Sequence, residues 1–267
     1  MKVSIPIYNK IKRTVQFTYE KLKLFRREKI LGRKLAISTV DSISAYLFKQ
    51  EQGIETKKAT YEILKPKGSY KTFVENLNRV TKYSILILLF LMRVARQTAS
   101  WLKITDATAV PVCLNKNANS RKTMKDFASW GHTGNGWFYG LKMHITVDAD
   151  RKLLAVTFTS GNVHDKTVFI KLNKFLYGIF VADSGYTSGK MAREFYQEGK
   201  RILFTKPRKN MDKLITSWQN ALYQTRMIVE IPFNILKRFH NLVTSLPRSI
   251  NGYPSNYVHS LLAYMFV

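Results

Sequence analysis

Two aspartates of this sequence follow apolar segments, in positions where a carboxylate could do chemistry. Asp106 follows Leu102-Lys-Ile-Thr, and Asp183 follows Gly178-Ile-Phe-Val-Ala. We therefore predict that each carboxylate lies at the end of a strand. A carboxylate in such a place loses hydration unless a cation or hydrogen-bond donors meet it, and active sites gather at strand ends in α/β sheets. Taken alone, however, each aspartate is better explained as the cap of the next helix or turn.

A third acid, Glu230, belongs to a group of four polar residues at helical spacing. The group is Tyr223, Arg226, Glu230 and Lys237, with intervals of 3, 4 and 7 residues. This spacing predicts that all four lie on one face of an α-helix, although an ordinary Arg–Glu surface pair has the same spacing. Pro232 cannot donate a backbone hydrogen bond, so we expect a kink just beyond Glu230.

The pattern Y-x2-R-x3-E-x6-K resembles the signature of bacterial insertion-sequence transposases of the DDE class. Five further segments are similar to motifs of that family in the same order: the first-Asp motif at 105–113, the second strand at 138–144, the turn after the third strand at 161–165, the second-Asp motif at 182–186, and the basic loop at 206–210. The resemblance runs from about residue 100 to the C-terminus, and the preceding region fits more loosely.

This resemblance implies an α/β fold, with an RNase H-like mixed sheet flanked by helices. It implies that Asp106, Asp183 and Glu230 are the catalytic residues and hold two Mg²⁺ ions, for which Mn²⁺ could substitute. Such a pair of ions stabilises the attacking and leaving oxygens of an in-line phosphodiester displacement. The implied activity is cleavage of DNA at the ends of an insertion element, followed by attack of the freed 3′-hydroxyl on target DNA. No nucleotide cofactor is implied.

The resemblance also indicates which residues contact DNA. These are Tyr223, Arg226 and Lys237 of the signature, and Lys206, Arg208 and Lys209 of the basic loop. The implied partners are double-stranded DNA, in the form of terminal inverted repeats and target DNA, and a second protomer in a homodimer or higher assembly. For Lys237 alone, a solvated lysine on a helix face remains an alternative.

The charge of the chain supports a polyanionic partner. There are 44 Lys and Arg against 17 Asp and Glu, a formal net charge of +27. The excess is spread along the chain, with 21 basic and 7 acidic residues in 1–100. Lysine and arginine near phosphates release condensed counterions, so nucleic acid is the partner that this composition favours. An RNA-coating or membrane-surface protein would have a similar composition.

The pattern of apolar residues predicts two regions. Residues 1–100 form a basic, helical, DNA-binding region, with helices from about 38, 55–64, 69–79 and 82–98 after a basic arm or first helix in 1–30. Short helices joined by tight turns suit a helix-turn-helix and equally suit a plain bundle. Residues 101–267 form the catalytic domain, with strands near 103–106, 137–147, 152–159, 178–183 and 202–205, helices at 165–177, 187–198 and 214–238, and a loop at 124–136.

Several residues are given structural roles. We predict that the single cysteine, Cys113, is a small buried side chain. A chain with one cysteine is also typical of a reducing compartment, here the bacterial cytoplasm. The apolar run Ile85–Met92 is too short to span a membrane and predicts a buried core helix. His144 is more typical of a structural residue than of a ligand, and a supporting role for His164 is the weaker interpretation. Further structural interpretations are turn or cap roles for Asp148, Asp150 and Asp165, and core packing for Trp130 and Trp137.

Other functions remain open from the sequence. A DNA-binding protein without catalysis, including a decayed and inactive copy of the enzyme, would keep the basic surface and lose the metal site. An RNA-coating protein would need no converging acids. A general RNase H-like nuclease would cut DNA without preference for particular ends and would not transfer strands.

Overall fold

The computed structural model describes residues 5–28, 35–207 and 214–266, and the chain divides into two compact units. The helical unit comprises Met1–Leu91 and Ile235–Val267, and the sheet unit comprises Met92–Asn234. The sequence-based division at residue 100 placed everything after it in the catalytic domain. The residues after Asn234 group instead with the N-terminal helices.

The helices of the described residues are α1 (Ile5–Lys21), α2 (Thr39–Glu51), α3 (Lys57–Leu64), α4 (Tyr70–Arg79), α5 (Thr81–Gln97), α6 (Asp165–Leu172), α7 (Gly189–Gly199), α8 (Ser217–Gln224), α9 (Glu230–Asn234) and α10 (Gly252–Phe266). The hydroxyls of Ser38, Thr56 and Ser69 accept backbone N–H bonds at the starts of α2, α3 and α4. Such caps satisfy donors that a helix leaves free. The first 30 residues thus contain a helix, α1.

The core of the helical unit joins segments from both ends of the chain. Tyr46 is fully buried and stacks on His259, with ring centroids 4.0 Å apart. The side-chain amide of Gln50 donates to Asn256 Oδ1 at 3.0 Å and to Ser260 Oγ at 2.8 Å. Because buried amides are costly without partners, this network ties α2 to α10.

Helix α5 confirms the predicted helix, but the prediction of a buried core helix was wrong for one of its faces. Ile87 and Met92 are buried, whereas Ile85 and Leu89 are 39% and 53% exposed. Residues four apart share a face of a helix, so α5 packs along one stripe only. None of the helices in the described part of the chain is both long and apolar enough to cross a bilayer.

The sheet unit has a mixed sheet of six strands in the described residues: β1 (Leu102–Pro111), β2 (Ser129–Thr133), β3 (Gly136–Asp148), β4 (Leu153–Ser160), β5 (Ile179–Ala182) and β6 (Ile202–Thr205). Strand β3 is antiparallel to β1, and also to β2 and β4, which pair with different stretches of it. Strands β5 and β6 continue the sheet parallel to β1. This arrangement confirms the predicted fold class.

Aromatic side chains fill one side of this sheet. Phe169 of α6 contacts the rings of Phe180, Tyr186 and Phe195, with centroids 5.0–6.1 Å apart. All four rings are buried in one apolar cluster. The cluster holds α6 and α7 against the sheet near the end of β5. Cys113, just after β1, is buried as predicted.

Two predictions for the segment before β3 were wrong. Residues 129–133, within the predicted loop, form strand β2 and pair with the start of β3. Trp130 and Trp137 are 41% and 64% exposed instead of packed in the core. The glycine at position 131 allows this strand to form close to Gly161, because a Cβ there would lie 2.3 Å from the carbonyl oxygen of Gly161. The close approach of the two backbones requires a glycine at this position.

Candidate active site

The register of the sheet brings Asp106 and Asp183 side by side. Strand β5 pairs in parallel with β1, and the last matched pair is Thr105 with Ala182. Asp106 and Asp183 are the next residue of each chain segment. Neighbouring residues at the same level of a parallel pair point to the same face. The sheet therefore presents two carboxylates together where β5 ends.

The sequence predicted that Asp106 lies at the end of its strand, and this prediction was wrong. Strand β1 continues to Pro111, because its other edge pairs with β3 and Asp106 itself is opposite Ile145. Only the β5 edge is open beyond Thr105. Asp183 does follow its strand, and its side chain makes no capping hydrogen bond to the turn that follows. The capping alternative therefore fails for both aspartates.

The environment of Asp106 disfavours its negative charge. Burial raises the pKa of this carboxyl to about 7, and the charges of Asp183 and Asp165 also raise it. The backbone N–H of Ala107, which donates to Asp106 Oδ1 at 2.8 Å, and the charge of Arg226 both lower this pKa. The opposing contributions leave the site short of positive charge, and a cation would relieve this deficit.

Two residues of the predicted signature contact the aspartates. Arg226 Nη1 lies 3.5 Å from Asp106 Oδ2 in a half-buried ion pair. The hydroxyl of Tyr223 donates to Asp183 Oδ1 at 3.2 Å. Burial, with the charge of Asp183, raises the pKa of Tyr223, so its hydroxyl keeps the proton that it donates. The spacing of three residues thus gives each aspartate one partner.

The structure places the predicted DNA-contacting residues in three different situations. The exposed Lys206 lies beside Tyr223 of the site, with its Nζ 5.6 Å from the centroid of the Tyr223 ring. Lys237 lies in the π-helical segment Ile235–Phe239 of the helical unit, and burial lowers its pKa. The other two residues of the basic loop, Arg208 and Lys209, lie outside the described residues.

The segment around Glu230 is not the continuous α-helix that its spacing predicted. Helix α8 ends at Gln224, Thr225–Val229 winds as a 3₁₀ helix, and α9 begins at Glu230 before the π-helical segment. A 3₁₀ helix has 3.0 residues per turn instead of 3.6, so it rotates Glu230 away from an ideal α-helical face. Among the described residues the Glu230 carboxylate forms no hydrogen bond or ion pair, and no three His, Cys, Asp or Glu side chains are grouped to hold a metal ion.

The family comparison agrees with the fold. A family model described as a transposase DDE domain matches residues 96–250, more than half of the chain. The chain belongs to this family. The mixed sheet flanked by helices in this transposase is consistent with an RNase H-like fold.

Sequence reasoning missed a polar cluster beside Asp106 of the transposase. Lys142 Nζ lies 2.9 Å from Asp165 Oδ1 and also donates to the Val163 carbonyl at 3.1 Å. The buried His144 shares a hydrogen bond of 2.9 Å with Thr159 Oγ1, while its Nδ1 lies 3.9 Å from Asp165. Asp165 was interpreted as a turn or cap residue. The contact of Asp165, at the start of α6, with Lys142 of β3 depends on how α6 packs on the sheet, which the residue pattern does not specify.

Tyr186 of the transposase provides a test of whether a metal ion fits here. Its hydroxyl is buried without a hydrogen-bond partner in the described part of the chain. Burial raises its pKa, and so do the charges of Asp106, Asp165 and Asp183. The charges of three aspartates thus act on one unsatisfied hydroxyl, although no three carboxylates of the described residues are grouped closely enough to hold a metal ion. Carboxylate oxygens are hard ligands of the kind that Mg²⁺ and Mn²⁺ take, so the chemistry of the adjacent Asp106 and Asp183 fits a divalent cation.

Proposed function

We propose that this transposase binds the ends of an insertion element, cleaves a DNA strand there and transfers the freed 3′ end to target DNA. The supporting observation is the pair formed by Asp106 and Asp183 beyond the last matched residues of β1 and β5. Each of the two carboxylates has its own partner from the signature segment, Arg226 or Tyr223. Two adjacent, poorly neutralised carboxylates support metal-dependent phosphodiester chemistry.

The residues of the site have separate roles in this proposal. Asp106 and Asp183 would hold Mg²⁺ or Mn²⁺, and such ions when bound activate the nucleophile and stabilise charge on the leaving oxygen. Arg226 orients the Asp106 carboxylate and supplies positive charge near the scissile phosphate. Tyr223 fixes the orientation of Asp183 through its hydroxyl. The exposed Lys206, close to the Tyr223 ring, contacts the DNA backbone.

We assign Glu230 as the third carboxylate of the proposal. The 3₁₀ segment Thr225–Val229 packs against both β1 and β5, and Glu230 directly follows it. Glu230 is half-buried and without a partner among the described residues, so its carboxylate is available to a cation. The Glu230 carboxylate can be reoriented by rotation about its side-chain bonds, without a change in the backbone. Asp165, already near Asp106, is the competing candidate for this place.

The proposed substrate explains the charge of the chain. A net charge of +27 spread along the chain favours contact with long stretches of DNA backbone. Residues 1–100 are proposed to recognise the terminal inverted repeats, and a homodimer or higher assembly on DNA would pair the two ends. Such a protein would be found with the nucleoid when it is bound to DNA.

The decisive experiment is cleavage of a duplex that carries the element's ends by the full-length chain in Mg²⁺. Asp106→Asn and Asp183→Asn should each reduce strand cleavage by about 10³-fold or more, because the loss of a metal ligand removes several kcal/mol of transition-state stabilisation. Asp150→Asn is the matched control, since the Asp150 side chain is 64% exposed and its ion pair within the described residues is with the neighbouring Lys152. Binding without cleavage would indicate a DNA-binding protein, and cleavage without preference for the ends a general nuclease.

A further inference from the structure

The helical unit contains a cavity of about 640 Å³ whose described lining residues all belong to this unit and combine apolar side chains with several charged ones. Two lysines, Lys49 of α2 and Lys57 at the start of α3, lie in its wall beside Tyr46. Their ammonium groups are 5.9 and 5.1 Å from the centroid of the Tyr46 ring. Two cationic groups therefore share one aromatic neighbour at the wall of the cavity.

Neither lysine has a carboxylate partner among the described residues. Lys49 is only 3% exposed, and its ammonium donates to the side-chain oxygen of Gln50 at 3.1 Å. Lys57 donates to Asn78 Oδ1 at 2.6 Å. Both acceptors are neutral amide oxygens. A buried ammonium group without a counter-ion is costly, and two that repel each other are more so.

The starts of three helices add positive potential to the same cavity. Thr56 caps α3 and Lys57 begins it, Tyr70 and Lys71 begin α4, and Gly252 begins α10, and all of them line the cavity. None of these helices has an acidic residue in its first turn. Helix N-termini carry partial positive charge, which favours anions, although side-chain caps already bind one N–H group each at α3 and α4.

The acidic residues of the lining offset this charge only in part, since the charge of Glu55 raises the pKa of Lys49 against the larger effect of burial. Glu55 and Glu75 are both exposed at the rim, where water screens them. Lys71 and Arg248 are also exposed and bring the basic residues of the lining to four. The buried positions are cationic and the exposed positions are mixed. The interior therefore has an unmet requirement for an anion.

We propose that this cavity is a phosphate-binding site, in which Lys49 and Lys57 together bind the oxygens of one phosphate group. Tyr46 and the neutral amides of Gln50 and Asn78 hold the two ammonium groups in place, and Arg248 and Lys71 attract the anion at the rim. The phosphate is either the terminal phosphate of a DNA strand or that of a small phosphorylated molecule. The proposal does not depend on the chemistry at Asp106.

The protonation of the lysines is consistent with such a ligand. Burial lowers the pKa of Lys49 to about 7 and that of Lys57 to about 8; the charge of Lys57 lowers the pKa of Lys49 further, and the charge of Glu55 opposes this. A bound phosphate would restore both charges, because an adjacent anion stabilises the protonated form. For the same reason, Lys49→Met should leave the empty protein folded and more stable.

The test measures thermal denaturation of the full-length protein in millimolar inorganic phosphate against chloride of equal ionic strength. Phosphate should stabilise the wild type, and replacing either lysine by Met should weaken its affinity about tenfold, the usual loss for one charged hydrogen bond. Lys58→Met is the matched control, because Lys58 neighbours Lys57 but is 73% exposed and pairs with Glu62. Equal stabilisation of the wild type and the Lys49→Met/Lys57→Met double variant would overturn the proposal.

A second measurement uses only the wild type, so that it does not depend on the folding of a variant. Acylation of lysines, read by peptide mass spectrometry, should be slowed by phosphate at Lys57 and unchanged at Lys58. Equal rates at Lys57 with and without phosphate would contradict the site. Competition by a 5′-phosphorylated duplex, and not by the unphosphorylated duplex, would identify the DNA end as the source. Competition by a deoxynucleoside monophosphate alone would identify a small molecule.

Discussion

At the scale of single residues, Tyr223 and Arg226 distinguish this site from a pair of ordinary strand-end aspartates. Their three-residue spacing crosses the boundary between α8 and the 3₁₀ segment, and each reaches a different carboxylate. A capping role would have left the aspartates bonded to their own turns. The two observed contacts join residues that are far apart in the sequence and have no such local explanation. Tyr223 is 40 residues from Asp183, and Arg226 is 120 residues from Asp106.

The hydroxyl of Tyr223 gives a prediction at this scale. Tyr223→Phe removes the hydrogen bond to Asp183 and should slow strand cleavage about tenfold, as expected for a hydrogen bond to a charged group. DNA affinity should change little, because the ring beside Lys206 is kept. Tyr196→Phe, at a position that is 54% exposed on α7, is the control. Cleavage rates that are equal for the wild type and Tyr223→Phe would show that the hydroxyl does not orient Asp183.

The residues predicted from the sequence were those whose local surroundings are informative. Asp106 and Asp183 stand out because apolar strands precede them, and the structure places them together. His144 and Asp165 were assigned only structural roles, and their meeting with Lys142 was not predicted, because it depends on the register of β3 and the position of α6. Neither feature can be read from the residues themselves. The role of Glu230 as the third carboxylate stays a prediction.

At the scale of elements, segments with strong periodicity were predicted correctly, whereas a segment of mixed helical winding was not. The hairpin of β3 and β4 and the helices α2 to α5 were predicted from alternation and caps. The segment predicted as one helix at 214–238 changes winding three times, with a 3₁₀ stretch before Pro232 and a π stretch after it. Pro232 removes one backbone donor, but no residue pattern specifies the winding on either side.

Strand β2 gives a second prediction, since it depends on a glycine. In Gly131→Ala, the added Cβ would lie 2.3 Å from the carbonyl oxygen of Gly161, and the backbones of β2 and β4 would have to separate. We expect the free energy of unfolding to fall by about 2 kcal/mol or more, as for other overpacked sites. Gly134→Ala in the adjoining turn, where a Cβ meets nothing within 4 Å, is the control. Chemical denaturation that gives equal stabilities for the two variants would refute this role of Gly131.

At the scale of the whole molecule, charge dominates the behaviour expected with DNA. Basic residues exceed acidic ones by 27, and the excess is not confined to one tail. Each phosphate that a lysine or arginine neutralises releases counterions. The affinity for DNA should therefore depend on salt more than on any single contact.

Fluorescence anisotropy of a labelled duplex should show this dependence. Between 50 and 200 mM salt, affinity should fall by about 10³-fold or more if roughly six phosphates are contacted. Lys206→Gln should weaken binding and reduce the slope of log affinity against log salt by about one. An affinity that stays flat over this range would contradict the electrostatic account.

The central claim, that Asp106 and Asp183 share a divalent cation, is tested most directly by anomalous diffraction from crystals grown with Mn²⁺. We predict an anomalous peak bonded to carboxylate oxygens of both aspartates, at the 2.0–2.3 Å or so expected of a hard cation. The same map would show whether Glu230 or Asp165 supplies the third carboxylate. A saturated crystal with no peak between Asp106 and Asp183, or with manganese bound only elsewhere, would contradict the claim.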